Sequence, residues 1–214
     1  MKIYTKTGDA GTSSLYDGGR VMKNCIFFNV LGELDELSSR IGMLCALIPD
    51  TKEYYLHLDE QMRLFFREQK FMRKIQSNIQ DINTIIATVD PVKSALYQIT
   101  SEDVKDLEKW IDHMETFNTK LTQFVLPGST MVDAQAQLCR TQTRKVERYL
   151  WELHNSTEVI QKVVKQPVSE MIDLSKIRLD NMLFAYINRL SDFFFVMARY
   201  LGFVQKAEEH FYQK

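Results

Sequence analysis

Hydrophobic residues recur every three or four positions along most of this chain. In the stretch from about Phe27 to Leu47 they include Val30, Leu34 and Leu37. This spacing places them on one face of a helix, so the stretch is predicted to be an amphipathic helix. The same pattern predicts four further helices, at about 56–88, 101–114, 131–153 and 175–203.

Capping and turn residues predict where these helices begin and end. The second helix is expected to close at Asp90-Pro91, because the residue before a proline disfavours the helical conformation. Ser101 is the predicted N-cap of the third helix, and 126–129 is a predicted turn. Strand-like alternation is confined to Lys2–Thr5. The predicted fold class is all-α: a helical bundle with an irregular N-terminal arm.

Composition restricts the class of protein. Hydrophobic residues make up 45%, charged residues 26%, and the net charge is -1. These values argue against a disordered chain and against a generally basic nucleic-acid binder, so any anion site must be local. The three cysteines are far apart and form no metal-spaced cluster with the four histidines, which predicts reduced thiols in an intracellular protein. No apolar run reaches the roughly 18 residues of a membrane span, so we expect a soluble, cytoplasmic protein without a membrane partner.

The N-terminal segment combines the parts of a phosphate-binding loop. It reads T-K-T-G-D-A-G-T-S-S over 5–14, followed by G-G-R-V-M-K over 18–23. Glycines let backbone N–H groups converge on an anion, lysines neutralise it, and Asp9 could hold Mg²⁺ or its water. The spacing is not that of a P-loop. The alternative is a flexible polar arm.

The fourth predicted helix carries a cluster of cations. Arg140, Arg144 and Glu147 project within about 60° of one another at 100° per residue, with Lys145 and Arg148 beside them. Like charges four positions apart destabilise a helix, so the cluster favours an external counter-charge, either a polyphosphate or carboxylates of another helix. The alternative is a solvated basic face with local pairing to Glu147.

Polar residues also interrupt the apolar fifth helix. Asn188, Ser191 and Asp192 share one side, next to aromatic residues, which predicts a hydrogen-bonded network. On the first helix, Asp35 and Ser39 share a face that by default is simply exposed.

Taken together, these segments resemble the PduO-type corrinoid (cob(I)alamin) adenosyltransferase family. Besides the N-terminal motifs, the matching segments are L-G-E-L-D-E-L-S-S-R-I-G, F-V-L-P-G-S, C-R-T-Q-T-R-K-V-E-R and Y-I-N-R-L-S-D-F-F-F-V-M-A-R-Y, which begin at 31, 124, 139 and 186. They occur in the family's order and extend over most of the chain.

The resemblance implies one domain over 1–214, a five-helix bundle (25–214) with an ATP-binding arm (1–24), assembled as a homotrimer with ATP at each subunit interface. Arg140, Arg144, Asp35 and Phe124 would be catalytic: Asp35 as the intersubunit partner of Arg140, and Phe124 as the aromatic residue beside the corrin. The residues that would bind ATP are Thr5, Lys6, Thr7, Gly8, Asp9, Gly11, Thr12, Ser13, Lys23, Arg144, Glu147 and Asn188. No resident metal site is implied.

The implied reaction transfers the 5′-deoxyadenosyl group of ATP to the cobalt of reduced cobalamin, with Mg²⁺ bound to the triphosphate. Cobalt(I) is itself the nucleophile, so the protein must position C5′ and stabilise the leaving triphosphate. Phe124 would keep a lower axial ligand away and leave a four-coordinate cobalt(II) that is easier to reduce. The implied partners are a cobalamin reductase and an acceptor enzyme that depends on adenosylcobalamin.

Several features differ from the family pattern. Gln137 stands where histidine is frequent, Lys145 stands where arginine is frequent, and the chain is longer around 50–74 and 155–180, which are expected to be insertions in helix connections. Two alternatives remain: an ATP-responsive cobalamin-delivery protein without turnover, and a ligand-free scaffold. A trimmed transit peptide would place the protein in the mitochondrial matrix instead of the cytoplasm.

Overall fold

The computed structural model describes residues 2–16, 20–48, 58–156, 159–161, 171–173, 177 and 179–213. This part of the chain is mostly helical. The helices are α1 (Ile26–Leu47), α2 (Glu60–Glu68), α3 (Lys70–Ile86), α4 (Pro91–Ser94), α5 (Ser101–Glu115), α6 (Met131–His154) and α7 (Asn181–Val204). The short strands are β1 (Thr12–Ser14), β2 (Arg20–Met22), β3 (Val125–Leu126), β4 (Val159–Gln161), β5 (Met171–Asp173) and β6 (His210–Phe211).

The core lies between the long helices. α6 packs against α7 and α1, α5 packs against α7, and α3 packs against α1. The predicted apolar stripe of α1 is fully buried, including Val30, Leu34 and Leu37. Burial of such stripes is the main source of helix stability in a bundle. The prediction of a helical bundle is therefore confirmed at the level of fold class.

The second predicted helix is wrong as one continuous element. It is divided at Gln69, which adopts a left-handed conformation with φ 51° and ends α2. The Gln69 N–H donates to the Phe65 carbonyl, and its side-chain amide donates to the Cys45 carbonyl at 3.1 Å. A contact with another helix thus stabilises a break that the periodicity did not indicate. The predicted start at 56 lies outside the described residues.

Two helix ends were also misplaced. α3 ends at Ile86, before Asp90-Pro91, and Asp90 instead caps α4 by accepting from the Val92 N–H at 2.9 Å. Thr100, not Ser101, caps α5, in a reciprocal capping box with Asp103.

The last helix starts later than predicted. α7 begins at Asn181 and not near 175, because Asp180 caps it and accepts from the Leu183 N–H at 3.0 Å. Positions 174–176 and 178 lie outside the described residues.

The strands form three antiparallel pairs, β1–β2, β3–β6 and β4–β5. None was predicted, because two or three residues are too few to show alternation, and Lys2–Thr5 is not a strand. The extra segment at 50–74 is not merely a connection, because 60–68 and 70–74 are helical. The three cysteines form no disulfide. Over the described ranges, no helix has the length and hydrophobicity needed to cross a membrane.

Candidate functional site

The N-terminal motif is held in shape by Arg20 of β2. Its guanidinium donates to the Thr7 carbonyl at 2.6 Å and to the carbonyl and hydroxyl oxygens of Thr12 at 3.0 Å, and Nη1 donates to the Ser14 hydroxyl. Gly11 (φ 79°) allows the chain to turn back into the β1–β2 hairpin. The segment is therefore an ordered loop and not an unstructured polar arm.

The loop leaves its binding groups accessible. Thr5, Lys6, Thr7 and Asp9 are exposed, and the hydroxyls of Thr5 and Thr7 lie 2.9 Å apart. Gly8, Gly11 and Ser13 are half-buried, whereas Thr12 is buried beneath the Arg20 side chain.

Lys23 lies close to this loop, as predicted. Its N–H donates to the Gly11 carbonyl at 2.9 Å. Its Nζ lies so close to Gly8 that a β-carbon on this glycine would be 3.2 Å away. An ammonium group at this place adds positive charge to a loop of accessible amides and hydroxyls, which suits a phosphate group.

On α6, the cations divide into two groups. Lys145 pairs with Glu33 of α1 at 2.7 Å, so part of the cluster has the interhelical carboxylate that the sequence left as one alternative. Burial would raise the pKa of Glu33, but hydrogen bonds from Lys145 and Gln142 outweigh burial and hold this pKa below its ordinary value.

Arg140 and Arg144 differ from Lys145. Within the described part of the chain, no carboxylate forms an ion pair with either guanidinium. Arg140 is half-buried and donates from Nε to the neutral Gln137 side chain at 2.6 Å. Burial, followed by the charge of Arg144, lowers the pKa of Arg140. Two neighbouring cations without a described counter-ion produce local positive charge of the kind that suits an anion.

Two predicted site residues from different helices meet directly. Asn188 of α7 donates to Glu147 of α6 at 3.0 Å, next to the Arg140 and Arg144 face. The predicted network on α7 is only partly as expected: Ser191 bonds the Asn188 carbonyl, whereas Asp192 points elsewhere and pairs with Arg189.

Other predicted residues do not meet within one chain. Asp35 is exposed and accepts from Asn83 at 3.0 Å, and over the described residues it forms no ion pair with Arg140. No hydrogen bond or ion pair between described residues joins the N-terminal loop to α6. The loop and the α6 face, called half-sites below, are therefore not linked by such a bond within the described part of one chain.

Phe124 is not a core aromatic residue. Its side chain is 82% exposed, directly before β3. The Tyr212 N–H donates to its carbonyl at 2.8 Å, next to the β3–β6 pairing. Beside this pairing lies a cavity of about 380 Å³, lined by residues that include Val125, Gln137 and Arg199. An exposed aromatic ring suits contact with a large apolar ligand.

The site shows one possible position for Mg²⁺. Among described residues there is no cluster of three or more His, Cys, Asp or Glu side chains suited to a metal. Mg²⁺ bound to a nucleotide needs only one or two carboxylates besides phosphate and water. Asp9, exposed in the loop, fits that requirement.

Sequence reasoning missed two residues that shape the site. Arg20 and Arg199 were each noted only as part of a quoted motif, although Arg20 fixes the loop and Arg199 lines the cavity. An arginine in a glycine-rich motif and an arginine within a strongly apolar helix were the available signals.

Comparison with known proteins gives consistent results. The model of the cobalamin adenosyltransferase family matches residues 3–201. A cobalamin adenosyltransferase of Cupriavidus metallidurans is 32% identical over 204 residues, covering 94% of this chain and 88% of that protein. The human corrinoid adenosyltransferase MMAB is 31% identical over 217 residues, covering 100% of this chain and 74% of that protein.

A similar solved structure is that of a phenylalanine-to-alanine variant of the PduO-type ATP:corrinoid adenosyltransferase from Lactobacillus reuteri, complexed with cobalamin and ATP. It has a TM-score of 0.75 and 25% identity, and the match covers 100% of both chains.

Proposed function

This chain belongs to the cobalamin adenosyltransferase family, and from that premise we propose that it transfers the 5′-deoxyadenosyl group of ATP to the cobalt of reduced cobalamin. The observation that carries the proposal is the pair Arg140 and Arg144, two neighbouring cations on α6 without a carboxylate partner in the described chain. A triphosphate supplies the missing negative charge.

The chemistry requires positioning and charge, not an acid or base from the protein. The electron pair of cobalt(I) forms the Co–C5′ bond while the C5′–O bond breaks, and its electrons leave with the triphosphate. Groups that stabilise the departing anion therefore lower the barrier directly. Arg144 and Arg140 supply this stabilisation, and Glu147 with Asn188 holds the adjacent face for the nucleoside.

The N-terminal loop binds the triphosphate from the other side. Its hydroxyls and amides donate to phosphate oxygens, and Lys6 and Lys23 contribute charge. Asp9 would hold Mg²⁺, which supplies further neutralisation of the triphosphate when bound. Arg20 keeps the loop in the conformation that presents these groups.

A complete site needs both half-sites, and these do not meet in one chain. We therefore propose a homotrimer of five-helix bundles in which the loop of one subunit faces α6 of its neighbour. Asp35, exposed and without an ion-pair partner in the described chain, would pair with Arg140 across this interface. Such a pair turns two isolated surface charges into a fixed contact.

Phe124 acts on cobalamin. Its ring is exposed and free to contact the corrin. There it would keep a lower axial ligand away and so favour a four-coordinate cobalt(II) that a reductase can reduce. Within one chain, the exposed ring makes no contribution to the core.

We further propose that residues 1–214 act as one domain, that a cobalamin reductase supplies the electron, and that an adenosylcobalamin-dependent enzyme accepts the product. A cytoplasmic location, or the mitochondrial matrix, remains a prediction.

The test is anaerobic formation of adenosylcobalamin from Mg-ATP and chemically reduced cobalamin. We expect adenosylcobalamin to form only when ATP is present. Its formation is measured from the visible absorption spectrum. Binding of both ligands without product would contradict the proposal and instead indicate a delivery protein. Absence of any thermal stabilisation by Mg-ATP would indicate a scaffold.

A further inference from the structure

Arg199 of α7 is a buried arginine that joins separate segments of the chain. Its side chain is only 3% exposed. Nε and Nη2 donate to the two carboxylate oxygens of Glu209, at 2.6 and 3.2 Å, and Nη2 also donates to the Thr119 carbonyl at 2.8 Å. Glu115 lies 3.8 Å from Nη1. The contact with Glu209 is therefore a two-point, charge-assisted pair.

Both segments that Arg199 holds lead to Phe124. Thr119 begins the exposed stretch that ends at Phe124. Glu209 directly precedes β6, which pairs with β3, and Tyr212 just beyond β6 bonds the Phe124 carbonyl. One guanidinium therefore fixes both the approach to Phe124 and the strand that holds its backbone.

The ring of Phe124 is too exposed for packing to position it. Its location must then depend on its backbone, and the backbone depends on the two segments that Arg199 joins. Stability alone does not account for the buried ion pair, because apolar residues of similar volume are often equally stabilising. A pair that fixes one geometry, however, suits a wedge that must stand at a defined distance from cobalt.

We propose that Arg199 and Glu209 are positioning residues for Phe124 and thereby for formation of four-coordinate cobalt(II). This inference rests on the proposed function and deepens it. Both residues also line the 380 Å³ cavity beside β3, but we assign their role to the Phe124 backbone and not to ATP. Its loss affects the step before adenosyl transfer, namely reduction of bound cobalt(II), and leaves nucleotide binding intact.

The experiment compares Glu209→Ala, Glu209→Gln and Arg199→Lys with the wild type and with Glu152→Ala, a control that removes an exposed glutamate on α6 outside the cavity. Hydrogen exchange of the ligand-free protein reports on the Tyr212 and β3 amides. Spectra of cobalt(II) cobalamin with Mg-ATP report on four-coordinate metal. Turnover is measured with a mild reductase system and, separately, from pre-reduced cobalt(I).

For Glu209→Ala we expect faster exchange near Phe124, a smaller four-coordinate signal and unchanged Mg-ATP affinity. Reductase-coupled turnover should fall about tenfold to a hundredfold, since misplacing a group by about 1 Å has effects of that size. The rate from pre-reduced cobalt(I) should stay close to the wild-type rate. The effects of Glu209→Gln and Arg199→Lys should be intermediate between those of the wild type and Glu209→Ala. Each of these two variants keeps a single hydrogen bond between positions 199 and 209.

A folded Glu209→Ala protein with wild-type spectra and reductase-coupled turnover would overturn the proposal, even if its exchange were faster, because the pair would then be structural only. Equal losses from cobalt(II) and from pre-reduced cobalt(I) would overturn it too. If Arg199→Lys fails to fold, the two Glu209 variants decide. A wild type that forms no adenosylcobalamin refutes the proposed function instead, and unchanged exchange near Phe124 in Glu209→Ala would then still refute the positioning role.

Discussion

The ammonium group of Lys23 lies against Gly8, at 3.2 Å from the position that a β-carbon on this glycine would occupy. Gly8→Ala should therefore displace Lys23 from the phosphate loop without unfolding it. We expect the Kd for Mg-ATP to rise about three- to tenfold, since one net hydrogen bond contributes about 0.5–1.5 kcal/mol. Calorimetric titration measures this change.

Gly42→Ala is the matched control. Gly42 lies in α1, and a β-carbon there would meet the Gln76 side chain of α3 at an ordinary contact distance of 3.6 Å. This variant should bind Mg-ATP as the wild type does. Wild-type affinity in Gly8→Ala would show that the position of Lys23 is unimportant for ATP.

Arg144→Ala should impair the use of ATP. A hydrogen bond to a charged group contributes about 1.5–3 kcal/mol, so kcat/KM for ATP should fall about 10- to 150-fold. Arg144→Lys should recover only part, since it restores the charge without the planar fork. Arg73→Ala removes an arginine from an exposed surface and is expected to have little effect. Wild-type kcat/KM in a folded Arg144→Ala protein would contradict the role.

Periodicity predicted the buried face of α1 well: every apolar position assigned to its stripe, from Val30 to Leu44, is buried. The break at Gln69 could not be predicted in the same way, because it depends on a hydrogen bond to Cys45 in another helix. Short strands such as β3 and β6 depend wholly on a partner that is distant in sequence.

The ion pair of Glu33 and Lys145 should make stability depend on pH. Since the folded-state pKa of Glu33 lies below its ordinary 4.5, the carboxylate stabilises the fold above that pH and ceases to do so as the pH falls through the folded pKa. Glu33→Gln should therefore lower Tm at pH 7, and the difference should vanish in strong acid.

For Lys145, the partner of Glu33, the stabilising contribution is lost at alkaline pH instead of acidic pH. The hydrogen bond to Glu33 raises the pKa of Lys145, so its contribution is complete below 10.5 and is lost as the pH rises through the folded value. Thermal melts of the wild type and Glu33→Gln from acid to alkaline pH measure how the Tm difference depends on pH. A Tm difference that is the same at every pH would show that charge is not involved.

Two capping boxes allow a test of what the turn after Phe124 contributes. Asp133 accepts from the Thr130 and Gly128 N–H groups at 2.7 and 3.1 Å, whereas Asp103, in the capping box of α5, accepts from the Thr100 N–H at 2.9 Å. Alanine at either position should cost about 0.5–2 kcal/mol of unfolding free energy. Only Asp133→Ala should also reduce turnover with cobalt(II) cobalamin.

Denaturant unfolding together with reductase-coupled assays separates these two effects. Equal losses of turnover in both variants would mean that activity follows stability alone. In that case the 127–130 turn would have no specific role.

Mixed trimers provide a test of the shared site. Lys6→Ala damages the loop and Arg144→Ala damages the α6 face, so each variant alone should be clearly less active than the wild type. When the two are unfolded and refolded together, some interfaces combine an intact loop with an intact α6, and activity should return. No recovery in proven mixed trimers, or full activity in a monomer, would contradict a site made by two subunits.

For the site, the sequence indicated which residue types were present but not which charges were already balanced. The α6 cluster predicted a counter-charge from either a polyphosphate or the carboxylates of another helix. Only the packing of α1 shows that Glu33 balances Lys145, while Arg140 and Arg144 have no described carboxylate partner. Arg20 could not be assigned because two of its four acceptor atoms are backbone carbonyls, which every residue has, and the other two are ordinary hydroxyls of Thr12 and Ser14.

The pairing of β3 with β6 has a consequence for the order of folding. Val125 and Phe211 are far apart in sequence, so closing the loop between them costs more chain entropy than any contact within a helix. Contacts of this kind form late and open early. We therefore expect the β3–β6 pairing, which holds the Phe124 backbone, to be among the last parts of the molecule to assemble. The helices of the bundle should be complete before Phe124 can act on cobalt.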